Sequence, residues 1–221
     1  MIATLLVTLL AQSNNTLTAQ EKADGWMLLF DGKTTHGWHN FKSDTISDGW
    51  VVKDGTLTNV EPGKAGDIVT SDKFDWFELK VDFNTSKEGN SGIMIRVGDD
   101  TEVIWHSGPE IQIYDHPIEE NVETSGFLYQ LYSSKVDASH PAGEWNSFHI
   151  IVSPKMCMTY LNGKKLYEYQ YGSIDFWERV AKSKFAAFPE FAKSASGAIG
   201  IQGDHGVVSF RNIKIKKLSA K

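Results

Sequence analysis

Phe77–Asn84 reads FELKVDFN, with Phe77, Leu79, Val81 and Phe83 on one side of an extended chain and Glu78, Lys80, Asp82 and Asn84 on the other. A repeat of two places successive side chains on opposite faces of a strand, so this stretch specifies a half-buried β-strand. Downstream, Asn90–Asp115 reads NSGIMIRVGDDTEVIWHSGPEIQIYD and holds two further candidate strands, Ser91–Val97 and Glu110–Tyr114. Strict alternation puts Ile93 and Ile95 with Ile111 and Ile113 toward a core. The same alternation turns Arg96, Glu110, Gln112 and Tyr114 together onto the opposite face. A guanidinium, a carboxylate, an amide and a phenol on one surface suit a polyhydroxylated ligand, although a solvated outer sheet face is the commoner fate of such residues.

Working outward, turn signals recur at short intervals. Gly49–Asn59 (GWVVKDGTLTN) is a hairpin around Asp54-Gly55, and MCMTYL and KKLYEYQY flank Asn162-Gly163. Both dipeptides accept the positive φ values of a type I′ turn. Trp26, Asp67–Thr70, Gly126–Tyr132 and Trp145–Val152 mark other strands. Gly203–Gly206 is placed as a turn between the two last ones. Asp175–Phe191 is the single helical candidate, interrupted by Pro189. Many short strands with one helix specify an all-β fold, a sandwich of two antiparallel sheets or a jelly roll.

The chain has 221 residues, 41% hydrophobic and 12% aromatic, with a formal net charge of -6. Its basic residues are dispersed, which argues against nucleic acid as a partner. The one cysteine, Cys157, excludes an internal disulfide and reads as a small buried hydrophobe. Ile2–Ala11 is apolar but too short to span a bilayer, and small residues follow near Ala19. Residues 1–20 are therefore expected to be a signal peptide and 21–221 a single domain, periplasmic or secreted, with no transmembrane segment.

Seven motifs occur in order: LFDGKTTHGW, WVVKDGTL, NSGIMIR, GPEIQIYD, GEWN, YLNGKKL and GIQGDHGVVSFRNIKI. Together, over Gly25–Leu218, they resemble the 3-keto-disaccharide hydrolase domain family. The resemblance implies a concanavalin A-like lectin/glucanase sandwich and an exported enzyme acting on glycosides whose C3 hydroxyl has become a ketone. A sugar 3-dehydrogenase is then the expected functional partner.

An ordinary glycosidase sets two carboxylates across the scissile bond. Here Glu110 is followed at the next same-face position by Gln112, so the pair is not visible locally. A C3 ketone removes the need for it, because it acidifies the C2 proton. One base then forms an enolate, the C1 substituent leaves by β-elimination, and water adds back. Glu110 is the leading candidate for the base and His205 the second acid/base. Arg96 and Gln112 are candidates to hold the ketone or hydroxyls, Tyr114 and Tyr129 to supply a phenol or a stacking face, and His106 to line the rim. A divalent metal ion at Glu110 and His205, with a nearby aspartate, is the cofactor to test for. A non-catalytic carbohydrate-binding module and an ordinary glycoside hydrolase are the rival readings.

Overall fold

The computed structural model describes residues 13–119 and 123–219. Its strands in chain order are β1 (Trp26–Leu28), β2 (Trp38–Asn40), β3 (Trp50–Lys53), β4 (Thr56–Asn59), β5 (Ile68–Thr70), β6 (Phe77–Thr85) and β7 (Asn90–Val97). They continue with β8 (Glu110–Tyr114), β9 (Asn146–Val152), β10 (Cys157–Leu161), β11 (Lys164–Tyr169), β12 (Ala198–Ile201) and β13 (Val208–Lys217). The helices are α1 (Ala19–Ala23), α2 (Pro62–Ala65) and α3 (Ile174–Lys182), with 3-10 turns at Ile104–His106 and Lys184–Ala187. Every strand pair is antiparallel. The larger sheet has eight strands in the order β11-β10-β9-β6-β13-β4-β3, with β1 also on β13. The smaller has five, β2-β5-β12-β7-β8.

The core lies between the two sheets. From β6, Phe77, Leu79, Val81 and Phe83 are buried and their even-numbered neighbours are not, as the alternation requires. They meet Ile93, Ile95, Ile111 and Ile113 of the smaller sheet in one apolar cluster. The Phe83 ring centroid lies 4.7 Å from that of Phe148 on β9. Truncating an aromatic so enclosed costs about 3–5 kcal/mol. Both expected tight turns form, with Asp54 and Gly55 at φ 50° and 75° and Asn162 and Gly163 at 48° and 78°.

One local expectation is corrected. Gly126–Tyr132 is not a continuous strand: the Leu131 and Tyr132 N–H groups turn back to donate to the Leu128 carbonyl, and Gln130 inside that turn takes φ 59°. It still edges β8, because the Tyr129 N–H donates to the Glu110 carbonyl at 2.9 Å. Gly203–Gly206 carries the chain from β12 in one sheet to β13 in the other. Trp145 is only half-buried, with the Arg211 guanidinium 3.8 Å over its ring, while Trp38, Trp50 and Phe210 are core.

Residues 1–12 of the expected leader lie outside the described residues. Residues 13–20, assigned to the same leader, pack on the domain. The Asn15 N–H donates to Asn212 Oδ1 at 2.6 Å, and the Asn212 N–H returns a bond to Asn15 Oδ1 at 2.8 Å. Thr18 and Glu21 form a capping box on α1, and Glu21 pairs with Lys214 of β13. Among the described residues no helix is long and apolar enough to cross a membrane.

Candidate active site

β7 and β8 pair with Gly92 opposite Gln112 and Met94 opposite Glu110. The isoleucines of both strands face the core, so Glu110 and Gln112 face outward, yet they are only 6% and 4% exposed. Three irregular segments bury them. The Ile104–His106 turn brings Trp105 to one side, the Leu128 turn brings Tyr129, and the turn after α3 brings Lys184. What is left open is a groove of about 210 Å³ lined by Asn90, Trp105, Glu110, Gln112, Tyr129, Lys184, Gln202 and His205.

Gly92 makes room for the carboxylate. A Cβ there would lie 2.7 Å from Glu110 Cγ and 2.8 Å from Cδ, which no side chain tolerates without moving Glu110. Gln202, just past β12, is set against the same point because its N–H donates to the Gly92 carbonyl at 3.0 Å. Gln112 turns its Oε1 back to accept from the Ile113 N–H at 3.0 Å, leaving its amide nitrogen free of protein acceptors among the described residues.

No protein hydrogen bond reaches the Glu110 carboxylate among the described residues. Burial pushes it up to about 8. The positive charge of Lys184 opposes that rise, and the negative charges of Asp67, Asp204 and Glu123 add to it. Asp67 is itself pushed up to about 6, chiefly by burial, against a hydrogen bond from the Gly203 N–H at 3.1 Å. A carboxyl desolvated in this way is held near neutrality, where it can take a proton at one step and return it at another. His205 stands at the exposed rim, paired with Asp204.

Of the residues singled out in the sequence, Glu110, Gln112, Tyr129 and His205 converge on the groove, and Arg96, Tyr114 and His106 do not. Arg96 is turned away by a bulge. Across from Ala198 and Gly200, strand β7 runs from Val97 to Met94 with one residue too many, and Arg96 takes φ 54°. The extra residue exchanges faces: Val97 joins Met94, Val69, Ile104 and Ala198 outside, and Arg96 turns inward. Its guanidinium lies 4.0 Å from the Trp76 ring and 4.7 Å from the Tyr171 ring, and its Nε–H donates to the Asp75 carbonyl at 2.8 Å. Tyr114 keeps the face of Glu110 but sits four residues farther along, in a separate groove with Asp115, Ser125 and His140, stacked on His116. His106 stacks on Phe188, with ring centroids 4.0 Å apart.

Lys184, Gln202, Trp105 and Asn90 were not singled out in the sequence as site residues. Gln202 lay inside the GIQGDHG motif already quoted. Nothing in the sequence placed Lys184, more than 70 residues beyond Glu110, in this groove. As for a metal ion, among the described residues no three His, Cys, Asp or Glu side chains come together in a way that could hold one. Among the described residues, Glu110 and His205 line one groove without a third ligand, so the donors described there do not make up a protein-held ion site.

The fold and the groove can be set beside known proteins. A 3-keto-disaccharide hydrolase of Bacteroides thetaiotaomicron is 32% identical over 231 residues, covering 89% of this chain and 79% of its own. A crystal structure from Parabacteroides distasonis, described as a glycosyl hydrolase, superposes with a TM-score of 0.86 at 33% identity, covering 94% of this chain and 100% of that one. A Bacillus subtilis protein with a galectin-like fold superposes at 0.52 over 93% of this chain and 94% of its own, at 12% identity, a likeness of fold alone. The architecture is thus the jelly-roll sandwich of lectins and glucanases that the resemblance implied. Residues 25–216 match the 3-keto-alpha-glucoside-1,2-lyase-like domain, and the chain belongs to that family.

Proposed function

We propose that this chain is a carbohydrate-active enzyme that cleaves glycosides carrying a ketone at C3, with Glu110 as the base. The observation that carries the reading is a carboxylate 6% exposed, without a protein hydrogen bond among the described residues, at the floor of a groove lined by amides, a phenol and an ammonium. The Bacteroides relative is named for hydrolysis of 3-keto-disaccharides and the family for a 1,2-lyase reaction, and the chemistry below joins the two.

Ionised Glu110 takes the C2 proton. The C–H electron pair becomes the C2=C3 bond and the carbonyl π pair moves onto the C3 oxygen. When the enolate collapses, the C1–O bond breaks and the leaving oxygen accepts a proton, for which His205 at the rim is the candidate donor. The product is an enone with a C1=C2 bond. Water adds its oxygen to C1 and a proton to C2, and the sum is hydrolysis. Gln112, Gln202 and Asn90 are placed to bind hydroxyls, and Trp105 and Tyr129 offer ring faces to the sugar. Glu110 is the one carboxylate lining the groove among the described residues, which disfavours the two-carboxylate route.

Export to the periplasm or beyond follows from reading the apolar run at Ile2–Ala11 as a leader. A sugar 3-dehydrogenase supplies the ketone in this scheme. The test is product release from a 3-keto-glucoside and from its unoxidised parent, with wild type and Glu110→Gln, each with and without chelator. The expected result is release from the keto sugar alone, abolished in the variant. Release from the parent sugar restores the ordinary hydrolase. Binding of both sugars without release makes the chain a binding module.

A further inference from the structure

We infer that Lys184 supplies the positive charge that holds the enolate oxygen. The inference rests on the C2-abstraction reading above. That reaction puts negative charge on the C3 oxygen, and a fixed cation or donor aimed at that oxygen is the main way to lower the barrier. Arg96, the cation suggested by the sequence, is on the wrong face of its sheet, and among the described residues the donor set for a metal ion is incomplete. Lys184 is the one Lys or Arg lining the groove among the described residues.

Its placement is built rather than incidental. Its ammonium lies 4.5 Å from the Trp105 ring and 4.5 Å from the Tyr129 ring, the two aromatic walls of the groove. Its own N–H donates to Gln130 Oε1 at 3.0 Å. The next residue, Phe185, is 1% exposed and stacked on Phe191 with ring centroids 3.9 Å apart. The backbone is thus pinned on both sides of the side chain. No carboxylate lies within salt-bridge distance of the Lys184 ammonium among the described residues, so its charge is not already neutralised. Two aromatic faces hold an ammonium in place without accepting its protons as strongly as a carboxylate would, leaving N–H groups for an incoming oxygen.

The step balances without a co-reactant. Glu110 gains the C2 proton, the C3 oxygen gains the electron pair, and Lys184 keeps its three protons while donating a hydrogen bond to that oxygen. Lys184 is in this scheme a catalytic residue, and its hydrogen bond to that oxygen strengthens as charge moves onto it.

The test separates enolisation from cleavage. 1,5-Anhydro-3-ketoglucitol has a C2 proton but no exocyclic leaving group at C1, so its C2 hydrogen–deuterium exchange, followed by NMR, reads proton abstraction without glycoside cleavage. Wild type, Lys184→Met and Lys184→Arg are compared in exchange and in cleavage of a 3-keto-glucoside. The expected result is that Lys184→Met lowers both rates by a common factor of about 100 or more, with KM within about threefold and partial recovery in Lys184→Arg. The low-pH limb of kcat/KM also moves to higher pH, because Lys184 no longer favours ionised Glu110 against Asp67, Asp204 and Glu123. Unchanged exchange in Lys184→Met overturns the inference, whether or not cleavage falls. A wild type that neither exchanges nor cleaves overturns the underlying reading as well, and is distinguishable because no variant is then needed.

Discussion

Replacing Glu110 by Gln keeps the shape of a side chain that is 6% exposed and removes its ionisation, so the effect on stability can be worked from the structure. Burial pushes the carboxyl from 4.5 up to about 8. Below 4.5 the folded and unfolded chains are both protonated there and the group contributes nothing. Between 4.5 and about 8 the unfolded chain has lost the proton and the folded chain retains it. The folded state then binds more protons, and stability falls as pH rises. Above about 8 the whole cost is present. At about 1.4 kcal/mol per pKa unit the interval amounts to about 5 kcal/mol, a ceiling because water enters the open groove. Urea unfolding of wild type and Glu110→Gln is measured at about pH 4.5 and about pH 9. The variants are expected to differ by less than about 0.5 kcal/mol at the lower pH, and Glu110→Gln to be more stable by about 2–5 kcal/mol at the higher. Asp67, pushed to about 6, loses stability in the same direction but does so in both proteins. A gap of equal size at both pH values would refute the claim that Glu110 is a desolvated acid.

Other outcomes follow from the same geometry. As Glu110 must be ionised to act as base, kcat/KM should rise with pH and level off above about 8, and a profile flat from pH 5 to 9 contradicts the role assigned to it. Gly92→Ala forces the Glu110 carboxylate out of its seat, so cleavage should drop about 100-fold or more for a stability loss of about 1–3 kcal/mol, read from initial rates and melting. Arg96→Ala should cost about 2–4 kcal/mol in denaturant unfolding, yet leave the kcat of folded protein within about twofold, because the guanidinium packs on Trp76 and Tyr171 away from the groove. Asn212→Ala removes the side-chain oxygen that accepts from the Asn15 N–H and leaves alanine at φ 52°, so a loss of about 2 kcal/mol with faster amide exchange at Asn15 is expected.

The sequence by itself determined what a short window can encode. The alternation in Phe77–Asn84 fixed the strand and its buried face, because period two has one structural reading when one side must leave water. Asp54-Gly55 and Asn162-Gly163 specified their turns, since positive φ at two successive residues admits few side chains. Alternation also put Glu110 and Gln112 on one face, and the order of seven motifs pointed to the family. Tertiary structure decided the rest. The bulge at Arg96 depends on how β12 meets β7, and a single inserted residue reverses every later side chain in a strand. The difference between a solvated sheet face and a buried carboxylate rests on three covering segments, from Trp105, Tyr129 and Lys184, that are remote or irregular in sequence. Periodicity reports which side of a strand is apolar. It carries no information about which distant loop will cover the polar side, and that covering is what makes Glu110 an acid poised near neutrality.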